Sequence, residues 1–399
     1  MTGFHAAPPP GEWLNDPNGL VFAGGRYRLF AQHSAAGPEF AAIGWARFSS
    51  DDLLHWEFDG PVIAPDDTGF AYSGSLQRLA GGDLAAYLTR HRVDGEPRQV
   101  QFRLVSRDHG LHWQQDALPV AAAGRNARDP FVSWCATTQD WRMLVAEPCD
   151  WADWQTTPPS RLTVWRDDGG WHQCGAIGDA PAGVLWEVPT LVDFGAMQAL
   201  IVSTVDRRGG GARCGVQYRI GRFDGQRFAG GTAQLLDHGP DYYAAIPNLA
   251  AGWPDATPVV VAWGSSWATA RRRILPGGGH GGAVALPRTL RLDGDRLRVA
   301  PITAALPLAA AVLPLGDGLV IDGDDRCLTV SLSAAGTLEV RRDADDPDEC
   351  WFGSTPGAAP QGEAQTATVF IDGGLVELFL SPAGLAVTAY LPGATLSAA

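Results

Sequence analysis

Apolar and polar residues alternate along much of the chain. Residues 20–30 (LVFAGGRYRLF), 200–205 and 259–263 carry this period of two with β-branched and aromatic side chains, the pattern of strands and not of helices. The runs are punctuated at a regular interval. Ser49, Asp51, His55 and Trp56 recur with the same internal spacing as Ser106, Asp108, His112 and Trp113, which puts the two tryptophans 57 residues apart. The next echoes are Asp168-Gly169-Gly170-Trp171, 58 residues on, and Asp224-Gly225-Gln226-Arg227-Phe228, another 57 along; Asp293-Gly294-Asp295-Arg296-Leu297 is a stretched fifth copy. Each copy is an Asp-Gly or Asp-x-x-Leu turn leading into an apolar residue, the mark of a tight hairpin entering a packed strand.

Each interval has room for about four strands, and four-stranded units of roughly 40–60 residues are the blades of a β-propeller. The expected architecture is therefore all-β. A five-bladed β-propeller occupies residues 1–298, an Ala-, Leu- and Pro-rich linker spans 299–316, and a small C-terminal antiparallel β-sandwich, with alternating runs at 366–370 and 375–380, fills 317–399. A sixth, irregular blade is the alternative for that last segment.

Composition narrows the function. Glycine (49) and proline (29) make up close to a fifth of the 399 residues, favouring strands and turns. The 15 tryptophans suit core and blade packing, with a minority available to stack on sugar rings. A formal net charge of −14 repels a phosphate backbone or an anionic membrane, so neither nucleic acid nor membrane is an expected partner and a neutral substrate fits better. Cys135, Cys149, Cys174, Cys214, Cys327 and Cys350 form no C-x-x-C pair and read as buried thiols in a reducing compartment. The first ten residues lack a basic segment followed by an apolar run, so a cytoplasmic location is expected. His109 and His112 read as turn residues, the Gly-rich stretch 277–282 as a loop, and no metal or cofactor is expected.

Three acids stand at the starts of expected inner strands, in Trp13-Leu14-Asn15-Asp16-Pro17-Asn18-Gly19, Arg128-Asp129-Pro130 and Trp186-Glu187-Val188-Pro189. In each, proline follows the acid directly or one residue later, holding the backbone extended and removing a donor that an inner edge does not need. Strands of a propeller begin at the rim of a central funnel, where residues remote in sequence converge. Glycoside hydrolysis needs two carboxyl groups across one bond, and three convergent acids leave one to grip substrate hydroxyls.

These motifs, in this order and at these intervals, resemble glycoside hydrolase family 32, the invertases, inulinases and levanases. Matches at Leu29-Phe30-Ala31-Gln32, Tyr72-Ser73-Gly74-Ser75, Asp241-Tyr242-Tyr243-Ala244, Leu286-Pro287-Arg288 and Val376-Glu377-Leu378-Phe379 extend the likeness along the chain. The resemblance implies a retaining β-fructofuranosidase acting on sucrose or short fructans. It makes Asp16 the nucleophile, Glu187 the acid/base and Asp129 the transition-state stabiliser. It also places Asn15, Gln32, Trp45, Ser73, Arg128, Tyr243 and Trp263 around the fructosyl unit, although Arg128 serves equally well as the partner of a neighbouring carboxylate. Val188 stands where the family usually has cysteine and Thr190 where an acid is common, departures that bear on pH optimum and substrate choice more than on reaction type. Two other readings stay open: an inverting, arabinanase-like propeller glycosidase, and a catalytically silent sugar-binding protein.

Overall fold

The computed structural model describes residues 3–94, 98–115, 126–150, 153, 155–208, 212–270, 282–316, 318–345 and 349–396. These residues form seven antiparallel sheets, one four-residue helix (Trp267–Ala270) and one 3-10 turn (Thr303–Leu308), so the chain is all-β in class. No helix among them is long and apolar enough to cross a membrane.

The first five sheets follow one another along the chain, each made of strands consecutive in sequence. Sheet one holds Trp13–Ala23, Arg26–Ser34, Gly44–Ser50 and Glu57–Ile63; sheet two holds Phe70–Arg78, Leu84–His91, Gln99–Ser106 and Gln114–Gln115. Sheet three holds Arg128–Cys135, Asp140–Glu147, Arg161–Asp167 and Trp171–Asp179. In sheet four, Val184–Asp193, Gln198–Asp206, Arg213–Phe223 and Phe228–Gly230 are joined by the short strand Gln234–Leu235, and sheet five runs Tyr243–Pro247, Val259–Trp263, Arg288–Asp293, Arg296–Pro301. The first strand of each of these five sheets lies at its edge. These five edges touch in cyclic order, sheet one against two, two against three, three against four, four against five, and five back against one.

All five repeat copies fall at the turn between the third and fourth strands of a sheet. At the second and fourth of these turns a carboxylate takes the place of a missing backbone acceptor: Asp108 accepts from the Leu111 and His112 N–H groups, and Asp224 from those of Gln226 and Arg227. In the first copy that role belongs to Asp52, with Ser50 beside it, and not to Asp51 and Ser49. The two turns differ by one residue, which an alignment anchored on His-Trp does not register. The run at 20–30 is likewise two strands and not one, because Gly24 (φ 61°) and Gly25 (φ 77°) form a two-residue hairpin turn with both residues at positive φ.

Sheet six (order Ala311–Pro314, Thr366–Asp372, Leu375–Ser381, Leu385–Tyr390) and sheet seven (Trp351–Thr355, Leu338–Ala344, Arg326–Leu332, Leu319–Asp322, Thr395–Leu396) share a core that includes Val330, Val340, Val369, Leu378 and Val387. The segment expected as a linker, 299–316, instead contains the end of Arg296–Pro301, the 3-10 turn and the edge strand Ala311–Pro314, which pairs with Thr366–Asp372. Alternation over four residues is too short to signal a strand until its partner, more than fifty residues later, is known.

Phe370, Phe379 and Ala386 of sheet six join the core of the first five sheets. Among them lies a buried charge cluster. The Arg288 guanidinium, with no exposed surface, donates to Asp237 (2.7 Å) and Glu377 (2.6 Å) and stacks 3.9 Å above the Tyr242 ring. Asp237 also accepts from the Thr388 hydroxyl (2.7 Å), while Glu377 accepts from the Leu286 N–H (2.8 Å) and faces His5 Nε2 at 2.9 Å. Burial works against charge on His5, but hydrogen bonds to Asp372 and Glu377 and the charges of both carboxylates prevail and push its pKa up to about 9. That value lies above the usual 6.5, so the stabilisation is complete below about pH 6.5 and is lost as pH rises through about 9, an effect on the order of 3 kcal/mol. The chain contains no lysine to titrate in this window. Thermal unfolding of the native chain is expected to drop between pH 6.5 and 9.5 by clearly more than that of His5→Ala; equal drops would show that His5 does not carry the effect.

A second tie joins sheet seven to the turn before sheet five. Arg342 pairs with Asp241, whose other oxygen accepts from Ser266 (2.9 Å), just before the short helix, and from Thr269 (2.5 Å) within it. Asp241 is two residues before Tyr243, at the start of the fifth first strand.

Candidate active site

The first strand of each of the five sheets is interrupted near its start by a shift of register. Asn15 and Asp16 stand opposite Gln32 alone, and Ser73 is inserted between the pairs Tyr72 with Thr89 and Gly74 with Leu88. Asp129 and Pro130 oppose Val145, Val188 and Pro189 oppose Val202, and Ala244 and Ala245 oppose Ala262. Such bulges re-aim a side chain and end regular pairing. At three of them the first extra residue takes a positive φ that side chains rarely adopt: Asp129 (59°), Val188 (46°) and Ala244 (55°). Each costs roughly 1–3 kcal/mol, and conformations of this kind concentrate at functional sites. The prolines that follow Asp16, Asp129 and Val188 fall within or directly after these bulges, where no N–H is required.

The bulges bring the three acids together. Asp16, only 7% exposed, accepts from the Ser73 hydroxyl (2.7 Å) on one oxygen and from Asn15 Nδ2 (3.0 Å) on the other. Asn15 is held by the Trp13 indole N–H (2.7 Å) and also donates to Gln32 (2.6 Å), whose amide in turn donates to Ser73 (2.8 Å). Asn15, Gln32 and Ser73 thus form a closed polar frame around Asp16. Asp129 accepts from the Val188 N–H (2.9 Å), while its own N–H donates to the Thr89 hydroxyl (3.0 Å). Glu187 receives Arg128 through two guanidinium nitrogens (3.0 and 2.6 Å) and the Tyr243 hydroxyl on its other oxygen. Arg128 thus pairs with a neighbouring carboxylate, one of the two roles open to it.

Proximity is also written in the protonation equilibria. Burial, assisted by the charge on Glu187 and opposed by the Ser73 hydrogen bond, pushes Asp16 up to about 6. For Asp129, burial and the charges of Glu187 and Asp16 outweigh Arg128 and push it up to about 7. Burial, then Glu187, holds the Tyr243 hydroxyl well above its ordinary range. Asp16, Asp129 and Glu187, from three sheets, therefore share one electrostatic field, and the raised pKa values of Asp16 and Asp129 beside a third carboxyl group mark a site built for chemistry.

Two of the residues expected around the sugar are fully enclosed. Trp45 and Trp263 have no exposed surface. Trp45 donates to the Tyr72 carbonyl (3.1 Å) from within a core cluster, and Trp263 packs between Trp13 and Trp267 at ring distances of 5.7 and 5.3 Å. Residue-type matching does not report depth, and an indole that backs a cleft has the same sequence signature as one that lines it.

Sequence reasoning missed Thr89 and an aromatic wall. Trp13 stacks on Trp267 (6.3 Å, 19°), Phe40 contacts Trp267 (5.2 Å) and Tyr72 (5.5 Å), and Tyr72 stacks on His91 (4.6 Å, 11°). Phe40 is 36% exposed and comes from the turn between two strands of sheet one, where no periodic signal singles it out.

The family model for "Glycosyl hydrolases family 32 N-terminal domain" matches residues 5–301. The chain is similar to the extracellular exo-inulinase of Aspergillus niger, 28% identical over 338 residues, covering 71% of this chain and 60% of that protein. It is also similar to a sucrose-6-phosphate hydrolase of Zymomonas mobilis, 29% identical over 326 residues, covering 75% and 61%. The chain thus spans about three fifths of the length of these relatives. Among solved structures, exo-inulinase from Aspergillus awamori superposes with a TM-score of 0.79 at 22% identity, covering 98% of this chain and 92% of that one, a likeness of fold.

Proposed function

Since the chain belongs to glycoside hydrolase family 32, we propose that it hydrolyses β-fructofuranosidic bonds in sucrose or short fructans, with retention of configuration. The observation that carries this reading is the meeting of Asp16, Asp129 and Glu187, from three different sheets, in one buried field. The cyclic contact of five first strands supports a five-bladed propeller, and the core shared by sheets six and seven supports a sandwich. Cys135, Cys149 and Cys214 are buried thiols and Cys174 and Cys327 half-buried ones, none of them in a disulfide, in keeping with a reducing, cytoplasmic setting.

In the proposed mechanism an Asp16 oxygen attacks the anomeric C2 of the fructosyl unit as Glu187 hands its proton to the departing oxygen, leaving a covalent fructosyl-enzyme. Glu187 then takes a proton from water, which attacks C2 and releases Asp16. Asp129 bonds ring hydroxyls more tightly as the ring gains oxocarbenium character. Asn15, Gln32 and Ser73 hold Asp16 in line, and Arg128 and Tyr243 fix the two oxygens of Glu187.

The nucleophile must be ionised, so kcat/KM is expected to fall on the acid side of about pH 6 as Asp16 takes up a proton. Ser73→Ala removes a hydrogen bond that favours the carboxylate and should move this acid limb to higher pH by up to about one unit. An unmoved limb would detach it from Asp16. The activity itself is tested by incubating the chain with sucrose, an inulin oligomer and levan and following the released sugars by NMR. β-Fructofuranose as the first product supports the proposal; the α anomer first would favour inversion, and no fructose from any of the three would favour a binding protein.

A further inference from the structure

The five first strands have two ends, and the acids use only one. Asp16, Asp129 and Glu187 lie near the starts of their strands, whereas Trp134, Asp193 and Asn248 lie toward or just past the other ends, with Asn18 and Ser75 at mid-strand. Trp134 is five residues beyond Asp129, about 15 Å along an extended strand. Around this opposite mouth is a cavity of about 380 Å³, closed on one side by the loop 248–258. That loop is tied down by the Leu249 N–H to the Leu20 carbonyl (2.7 Å) and by Arg78 to the Ala251 carbonyl (2.9 Å).

Three features of the lining define what it would take. Trp134 is 49% exposed, an unusual amount for an indole, and is braced edge to face by its cross-strand partner Trp141 at 5.5 Å. Asn18 is 1% exposed; its carbonyl oxygen accepts from the Gly74 N–H (3.1 Å), but its amide nitrogen has no partner among the described residues. A buried donor left open in this way calls for an acceptor from outside. The charged lining groups are Asp193 and Asp255, with no arginine among them, which disfavours an anion and offers acceptors to hydroxyl groups. An aromatic platform, carboxylate acceptors and one buried amide donor together match a neutral ring with an apolar face and several hydroxyls.

We infer that this cavity is a second carbohydrate site, which takes a single neutral sugar ring on Trp134 at the end of the channel opposite the three acids. The site is read from its own lining and does not depend on the proposed hydrolysis. Sucrose, which carries both a glucosyl and a fructosyl ring, is a suitable probe. Calorimetric titration of Asp16→Asn with sucrose is expected to show a binding event that Trp134→Ala weakens by about tenfold or more and Trp134→Phe largely restores. Trp134→Ala in the otherwise native chain should leave the rate of sucrose hydrolysis within about twofold, because the residue is remote from the acids. A titration indifferent to Trp134→Ala would overturn the inference, as would loss in Trp134→Ala that phenylalanine fails to restore. Should the hydrolase reading fail, sucrose hydrolysis would be absent in the native chain while the Trp134-dependent event persisted, so the two failures are distinguishable.

Discussion

Asp16→Asn is expected to lower kcat on a β-fructofuranoside by on the order of 10⁴-fold or more, with little change in the affinity for sugar. Asparagine has the same shape, but its amide is far too weak a nucleophile to form the glycosyl-enzyme. The polar frame can accommodate it. The substituted carbonyl oxygen still accepts from Asn15, and the Ser73 hydroxyl, which donates to Asp16 and accepts from Gln32, can turn to accept from the new amide. The variant should therefore fold and bind. Removing the charge has a second consequence: Asp129, pushed up to about 7 partly by Asp16, should titrate lower, a change visible by carboxyl-selective NMR. Residual turnover above a few per cent, in a protein shown to be folded, would remove Asp16 from the role of nucleophile.

Arg288→Met should produce the largest loss of stability, about 3–5 kcal/mol. Arg288 is fully enclosed and is the guanidinium between Asp237 and Glu377, both also fully buried. Methionine fills much of the same volume yet leaves two carboxylates without their cation in a medium that cannot solvate them. The pair joins the first five sheets to sheet six, so the damage should appear as earlier unfolding of the contact between them. Urea unfolding monitored by tryptophan fluorescence would measure it, and the triple change Arg288→Met, Asp237→Asn, Glu377→Gln should recover a large part of the loss because it removes the uncompensated charge. A loss below about 1 kcal/mol for the single variant would mean that water reaches the cluster and screens it.

The fold and the site were legible to different depths. Turn chemistry is local, so the hairpins at Asp108 and Asp224 could be recognised from a few residues each, and their spacing counts the sheets. Even so, the first copy misleads by one position, because whether Ser50 and Asp52 or Ser49 and Asp51 close the turn depends on hydrogen bonds and not on residue type. The strand Ala311–Pro314 was missed for a related reason: its ladder partner is Thr366–Asp372, and pairing over such a distance leaves no trace in four residues.

The acids and their prolines could be picked out from the chain alone, since a bulge at an edge strand asks for a residue that lacks an N–H, and that demand is met locally. Their company could not. Arg128 pairing with Glu187, Thr89 holding Asp129, and Arg342 reaching Asp241 beside the fifth first strand each join residues that meet only after five sheet edges have closed on one another and sheets six and seven have packed against them. Alternation and turn residues act over a few ångströms along the backbone and are therefore inscribed in the order of amino acids. Burial, electric field and the direction of a side chain depend on everything that surrounds it, which is why the full enclosure of Trp45 and Trp263 left no mark in the order of residues.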